Sequence, residues 1–185
     1  MKNAGLKKGV LEIMDYNEEY ASIYSEEKDR LLEIFQGRIN IIEHVGSTSI
    51  IGIKSKPIID ILIETDDLDD FIRFTESSVE GETYTVKKEP TMGGDYLIRK
   101  EEDGKVKAFI HVYKTGDINA INQILFRDYL NSHEDERKRY EELKMRLYEQ
   151  FKDDRHSYTY GKDEYIKGVI KKAHEEQDSM SKKLV

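Results

Sequence analysis

The sequence predicts an α+β domain, a mixed sheet with helices packed on one face and a C-terminal helical part. Three observations predict it. A helical repeat of apolar and aromatic residues fills much of the first forty positions. Short runs with strand alternation occupy the middle of the chain, up to Tyr113. Further segments of helical spacing then follow with no strand among them. The 185 residues fit one domain, taken as 1–173, with a charged, disordered tail over 174–185.

Each element has its own reason. Residues 1–10 read as a loose lead-in and Leu11 to Met14 as a short strand. Asp15 and Asn17 are natural helix caps, and Tyr20, Ile23, Tyr24, Leu31, Leu32 and Phe35 recur at helical spacing until Gly37 stops the run. Asn40 to Val45 reads as a strand leading into Gly46-Ser47-Thr48-Ser49, whose hydroxyls suit a short helical turn. The Lys56-Pro57 step forces an extended chain. In the strand that follows, Ile59, Ile61 and Ile63 share a core face, while Ile58, Asp60, Leu62 and Glu64 share a face open to a cleft. Asp66 to Asp70 opens a helix and 77–81 reads as a loop. Tyr84 to Lys88 alternates like a strand, and 90–94 reads as a flexible turn. The Asp103-Gly104 step predicts a tight hairpin between 95–100 and 105–113. Its second arm puts His111 on the face that carries Asp60. Asp117 caps a helix, residues 133–152 form another, 153–160 are a polar link, and 161–173 close the fold.

Composition narrows the function. Thirty basic against 38 acidic residues give a net charge of −8, which disfavours nucleic acid and anionic membranes as partners. There is no cysteine, so disulfide and thiolate chemistry are excluded. No apolar run reaches the roughly 20 residues of a membrane span, and MKNAGLKKGV lacks a signal-peptide core, so a cytoplasmic protein is expected.

The stretch Val45 to Ile63 carries the chemistry. Small residues at Gly46, Ser47 and Thr48 let backbone N–H groups approach an anion, with Lys56 placed to neutralise it. His44 precedes the turn. Asp60 interrupts an apolar strand and needs a partner, because an unpaired buried charge is costly. Metal, Lys56 or Arg127 would each serve. Asp60 and His111 are the candidate catalytic pair. Asp60, Glu64 and His111 are the candidate ligands of Mg²⁺ or Mn²⁺. His44, Gly46, Ser47, Thr48, Lys56, Arg99, Arg127, Tyr160 and Lys162 are the candidate phosphate or ligand contacts. Structural roles compete throughout: helix capping for Ser47 and Thr48, core packing for the two histidines, and surface ion pairing for Arg127.

A Gly-Ser turn followed by an acidic strand resembles nucleotidyltransferases of the polymerase-β type. In those proteins carboxylates hold divalent metals beside a triphosphate. The second acid of that pattern is absent, since Leu62 stands there, and His111 stands where a third would fall. EHVGSTSIIGIKSKPIIDILIE resembles the signature of the GrpB family, also described as glutamate-rich proteins. MDYNEEYASIYSEEKDRLLEIF, FIHVYKTGD and FRDYLNSHEDERKRYEELKMRL resemble its other segments, so the likeness covers about 11–173. Ile50-Ile51 departs from the Val-Pro step usual before Gly52. The GrpB resemblance implies a nucleotidyltransferase-like fold and delivers no function; the turn-to-acid spacing and the open face shared by Asp60 and His111 lead to the expectation of a nucleotide or phosphorylated small-molecule partner and metal-dependent nucleotidyl or phosphoryl transfer. The competing expectation is a non-catalytic nucleotide sensor or folding accessory with a protein partner. A related domain fused to dephospho-CoA kinases points the same way.

Overall fold

The computed structural model describes residues 4–79, 81, 83–87 and 96–183, and within them the chain builds one six-stranded mixed sheet with helices on both sides. The strands are β1 (Leu6–Lys7), β2 (Ile41–Val45), β3 (Ile59–Thr65), β4 (Tyr84–Lys87), β5 (Tyr96–Glu102) and β6 (Lys105–Lys114). Their order is β2-β3-β6-β5-β4, with β1 paired to the start of β6. β3 and β6 run parallel and every other pair is antiparallel. The hairpin between β5 and β6 turns at Asp103 and Gly104, both at positive φ, as the Asp-Gly step requires.

The expected core face is the observed one. Ile59, Ile61, Ile63, Ala108, Ile110 and Val112 pack under α1 (Tyr20–Phe35) and α2 (Leu68–Phe74). Phe35 stacks on Phe71 with ring centres 4.3 Å apart. The C-terminal part covers the other face with α3 (Ile118–Ser132), α4 (Glu134–Gln150), α5 (Arg155–Tyr160) and α6 (Asp163–Lys183). Asp117 caps α3 by accepting from Asn119 N, and Asp154 caps α5 by accepting from His156 N and Ser157 N.

Five local expectations change. The lead-in is anchored from Ala4, because Leu6 and Lys7 pair with Val106 and Lys105. The strand expected at Leu11 to Met14 shrinks to one bridge, Met14 with Ser55. Thr75–Val79 forms a π-helical turn rather than a loop. The polar link holds helix α5. The final helix continues to Lys183 instead of fraying after Ala173, because its charged residues have partners. His174 Nε2 meets Asn122 Oδ1 at 2.8 Å, His133 pairs with Glu176 at 3.6 Å, and Lys171 pairs with Glu175 at 3.8 Å. The turn expected at 90–94 lies outside the described residues.

Candidate functional site

The open face of the sheet is organised by one glycine. Gly46 has φ +70°, and a Cβ built there would lie 2.3 Å from Asp60 Oδ2. Only glycine takes that backbone shape and leaves room for the carboxylate. One turn of 3₁₀ helix, Ser47–Ser49, follows and is closed by Ser49, whose N and Oγ both donate to Gly46 O at 3.3 and 2.7 Å. Thr48 is buried, with Oγ1 3.0 Å from His44 Nε2 and 3.4 Å from Ile58 O, so its hydroxyl ties the turn to β2 and β3.

Register then brings the two candidate catalytic side chains together. Asp60 lies opposite Phe109, and Leu62 opposite His111, across the parallel β3–β6 pair. His111 Nε2 is 3.6 Å from Asp60 Oδ1, and its Nδ1 is buried without a hydrogen-bond partner. Both residues line a cavity of 610 Å³ between the sheet and the C-terminal helices.

Four lysines and the carboxylate of Asp163 line this cavity; Lys167 of α6 is exposed, and the other three are enclosed. Lys56 comes from the segment before β3, Lys144 from α4, and Lys162 from the α5–α6 junction. Burial is the largest influence on each and lowers its pKa. Lys56 falls to about 8, with the charges of Lys162 and Arg155 adding to burial and Asp60 opposing. Lys144 falls to about 7, with Lys162 adding and Glu141 opposing. Lys162 is lowered by burial and Arg155 against the pull of Asp60 and Asp163. The ammonium groups lie over aromatic faces: Lys56 and Lys162 are 5.7 and 4.7 Å from the Tyr158 ring centre, and Lys144 is 5.1 Å from that of Tyr140. Lys144 also donates to Lys54 O. None of the three forms an ion pair with a carboxylate among the described residues. Tyr140, beside Ser47, has its phenol raised to about 12 by burial, with the Ser47 hydrogen bond opposing.

The far wall is different. Asn119, Asn122 and Gln123 of α3 supply amides, and Phe126, Ile166 and Ile170 supply apolar surface. Gln123 Nε2 donates to Tyr113 OH, and Asn122 Oδ1 is held by His174, so two of the amides are fixed in place.

Other predicted site residues lie elsewhere. Glu64 shares the face of Asp60 but sits at the other end of β3, buried, with Oε2 accepting from Gly116 N at 3.0 Å. His44 turns to the opposite side of β2, stacked on Tyr24 at 4.8 Å. Burial lowers its pKa to about 4, Asp60 opposing, which leaves it neutral at ordinary pH. Arg127 clamps β2, with Nη1 donating to Glu43 Oε2 (2.6 Å) and His44 O (2.7 Å) and Nε to Asp128 (2.8 Å). Arg99 is opposite Phe109 on β5 but is held by Glu101 at 2.5 Å, outside the cavity. Tyr160 is half exposed against His156, and its neighbour Tyr158 faces the cavity instead. The sequence reading missed Lys144, though a signal existed: it stands four after Tyr140 and three before Leu147 on the buried stripe of α4.

The donor set does not fit divalent metal. Among the described residues no three His, Cys, Asp or Glu side chains gather as a metal site requires. Asp60 and His111 meet, and Asp163 is a second acid in the lining, but the three do not converge, and lysines stand beside them where Mg²⁺ favours carboxylate oxygens.

Fold and site together define an α+β protein with a lysine-lined cavity closed by a C-terminal helical cap. The chain belongs to the GrpB family, whose model, described as GrpB protein, matches residues 10–172. It is 38% identical over 157 residues to UPF0157 protein YqkA of Bacillus subtilis (strain 168), covering 85% of this chain but only 45% of that protein. It is 30% identical over 169 residues to glutamate-rich protein GrpB of Alkalihalophilus pseudofirmus, covering 90% of this chain and 97% of that one. The crystal structure of conserved protein GrpB from Enterococcus faecalis matches with a TM-score of 0.81 at 25% identity, covering 90% of this chain and 99% of that chain. The mixed α+β architecture is therefore the GrpB fold, consistent with the nucleotidyltransferase-like class. No described helix is long and apolar enough to cross a membrane.

Proposed function

We propose that the cavity binds a phosphorylated small molecule of the nucleotide class. One observation carries this reading: three lysines enclosed beside a Gly-Ser-Thr turn, with no carboxylate within ion-pair distance of them among the described residues, in a protein of net charge −8. Enclosed cations without a partner are costly, and a bound anion removes the cost. The amide and apolar wall supports a ligand whose second part is neutral, flat and hydrogen-bonding, as a nucleobase is.

A second reading, catalysis, is favoured by the Asp60–His111 contact. The pair would accept the proton of an attacking hydroxyl as its oxygen bonds to phosphorus and the leaving phosphate departs toward the lysines. Binding alone does not need that pair.

Thermal unfolding against nucleoside mono-, di- and triphosphates and CoA precursors tests the first reading. A ligand at about 100 times its Kd adds roughly 2.7 kcal/mol of stability. Stabilisation by none of them would defeat it. Release of phosphate or pyrophosphate, lost in Asp60→Asn, would establish the second.

A further inference from the structure

We propose that Lys56, Lys144 and Lys162 take the place of divalent metal ions in this cavity, so that a di- or triphosphate is held by ammonium groups alone. The inference rests on the phosphorylated-ligand reading and says how that ligand is neutralised.

Asp60 and Asp163 line the cavity, but among the described residues they do not gather with His111 into a set that could hold a metal. Leu62 is buried in an apolar cluster with Val45, Tyr113 and Ala120, so that place on β3 is shut off from the cavity. Glu64 is spent on Gly116 N. The lysines occupy the cavity instead, coming from three separate segments, which no single surface helix would arrange. Lys56 and Lys162 would each place a compact charge with up to three donors against phosphate oxygens, and Lys144 would add the donors it does not use on Lys54 O. A dication added beside them would meet repulsion from each, strengthened by the low dielectric of an enclosed site. The lysines lie over Tyr140 and Tyr158, with Lys144 also donating to Lys54 O, and none is in an ion pair among the described residues, so an incoming phosphate breaks no ion pair. Asp60 lies against the turn at Gly46, where it repels a phosphate unless His111 or a lysine offsets it.

The test is calorimetric titration of the full chain with inorganic pyrophosphate and with ATP, in EDTA and again in excess Mg²⁺. The expected result is binding in EDTA as tight as in Mg²⁺ or tighter. Lys56→Met and Lys162→Met should each weaken it about tenfold or more, the loss expected for a charge-assisted contact. Asp60→Asn should leave binding unchanged or tighten it. Thermal unfolding of each variant without ligand separates lost binding from lost folding, and Lys56→Met should be no less stable than the parent. Binding that requires Mg²⁺ and disappears with Asp60→Asn would overturn the inference while leaving the phosphorylated-ligand reading in place. Binding of neither probe in either buffer would overturn both.

Discussion

Two groups of buried or half-buried lysine in this protein are handled in opposite ways. Lys100, 1% exposed on β5, is met by Glu27 Oε2, and by Glu102 at 3.1 Å, while Tyr84 donates to the other oxygen of Glu27 at 2.7 Å. That network is closed, with a partner for every charge. Lys56, Lys144 and Lys162 across the sheet have aromatic faces and a cavity instead. The difference separates scaffold from candidate site: a charge that the fold pairs holds the fold together, and charges set over rings in a cavity are where the proposed anion would bind.

The comparison breaks most readily at Glu27. Glu27→Ala leaves Lys100 with Glu102 alone and Tyr84 without its acceptor, and should cost about 3 kcal/mol in chemical denaturation. Should that variant lose under 1 kcal/mol, the closed network is not what holds β5 to α1. Gly46→Ala comes next. It forces a side chain into positive φ and against Asp60, at about 2–3 kcal/mol, and should abolish ligand binding in the fraction that folds. Lys56→Met should move the other way, stabilising the ligand-free chain by about 1 kcal/mol, since no ion pair is lost with the charge. A destabilised Lys56→Met would place this lysine with Lys100 instead.

The smallest effects are those of pH. The folded pKa values of Lys56 and Lys144, about 8 and about 7, lie below the unfolded value of 10.5. The unfolded chain therefore holds more protons between about pH 7 and 10.5, and these lysines make ligand-free stability rise with pH across that window. Anion binding should weaken over the same window as the ammonium charge is lost. Lys162, Arg155, Glu141, Asp60 and Asp163 set the local field throughout. On the acid side, His44 has a folded pKa of about 4 against 6.5 unfolded, so its contribution is lost as pH falls from 6.5 toward 4. Opposite slopes for stability and affinity above pH 7 would support the lysine site, and parallel slopes would count against it.

Much of the fold was legible because its signals are local. Isoleucine alternation at 59–63, the Asp103-Gly104 hairpin and the Asp117 cap each encode structure within a few residues, and each element formed where expected. The meeting of Asp60 and His111 followed from strand parity alone. What parity does not supply is position along a strand, so Glu64 shared a face with Asp60 and still missed the site. Arg127 and His44 look like ligand contacts in sequence, but partners from β2 and α1 absorb them, and those contacts come only from tertiary packing. Lys144 was hidden because a lysine in a charged helix reads as solvated until the helix is docked.

The parallel pairing of β3 with β6 has a kinetic consequence. Asp60 and His111 become neighbours only when strands separated by α2, β4 and β5 align, a long-range closure that folds slowly compared with local hairpins and helices. The dyad therefore does not exist in a chain whose central sheet is incomplete. Protection of the β3 and β6 amides from hydrogen exchange and recovery of ligand binding should appear together during refolding, so that capture of the ligand reports a finished sheet.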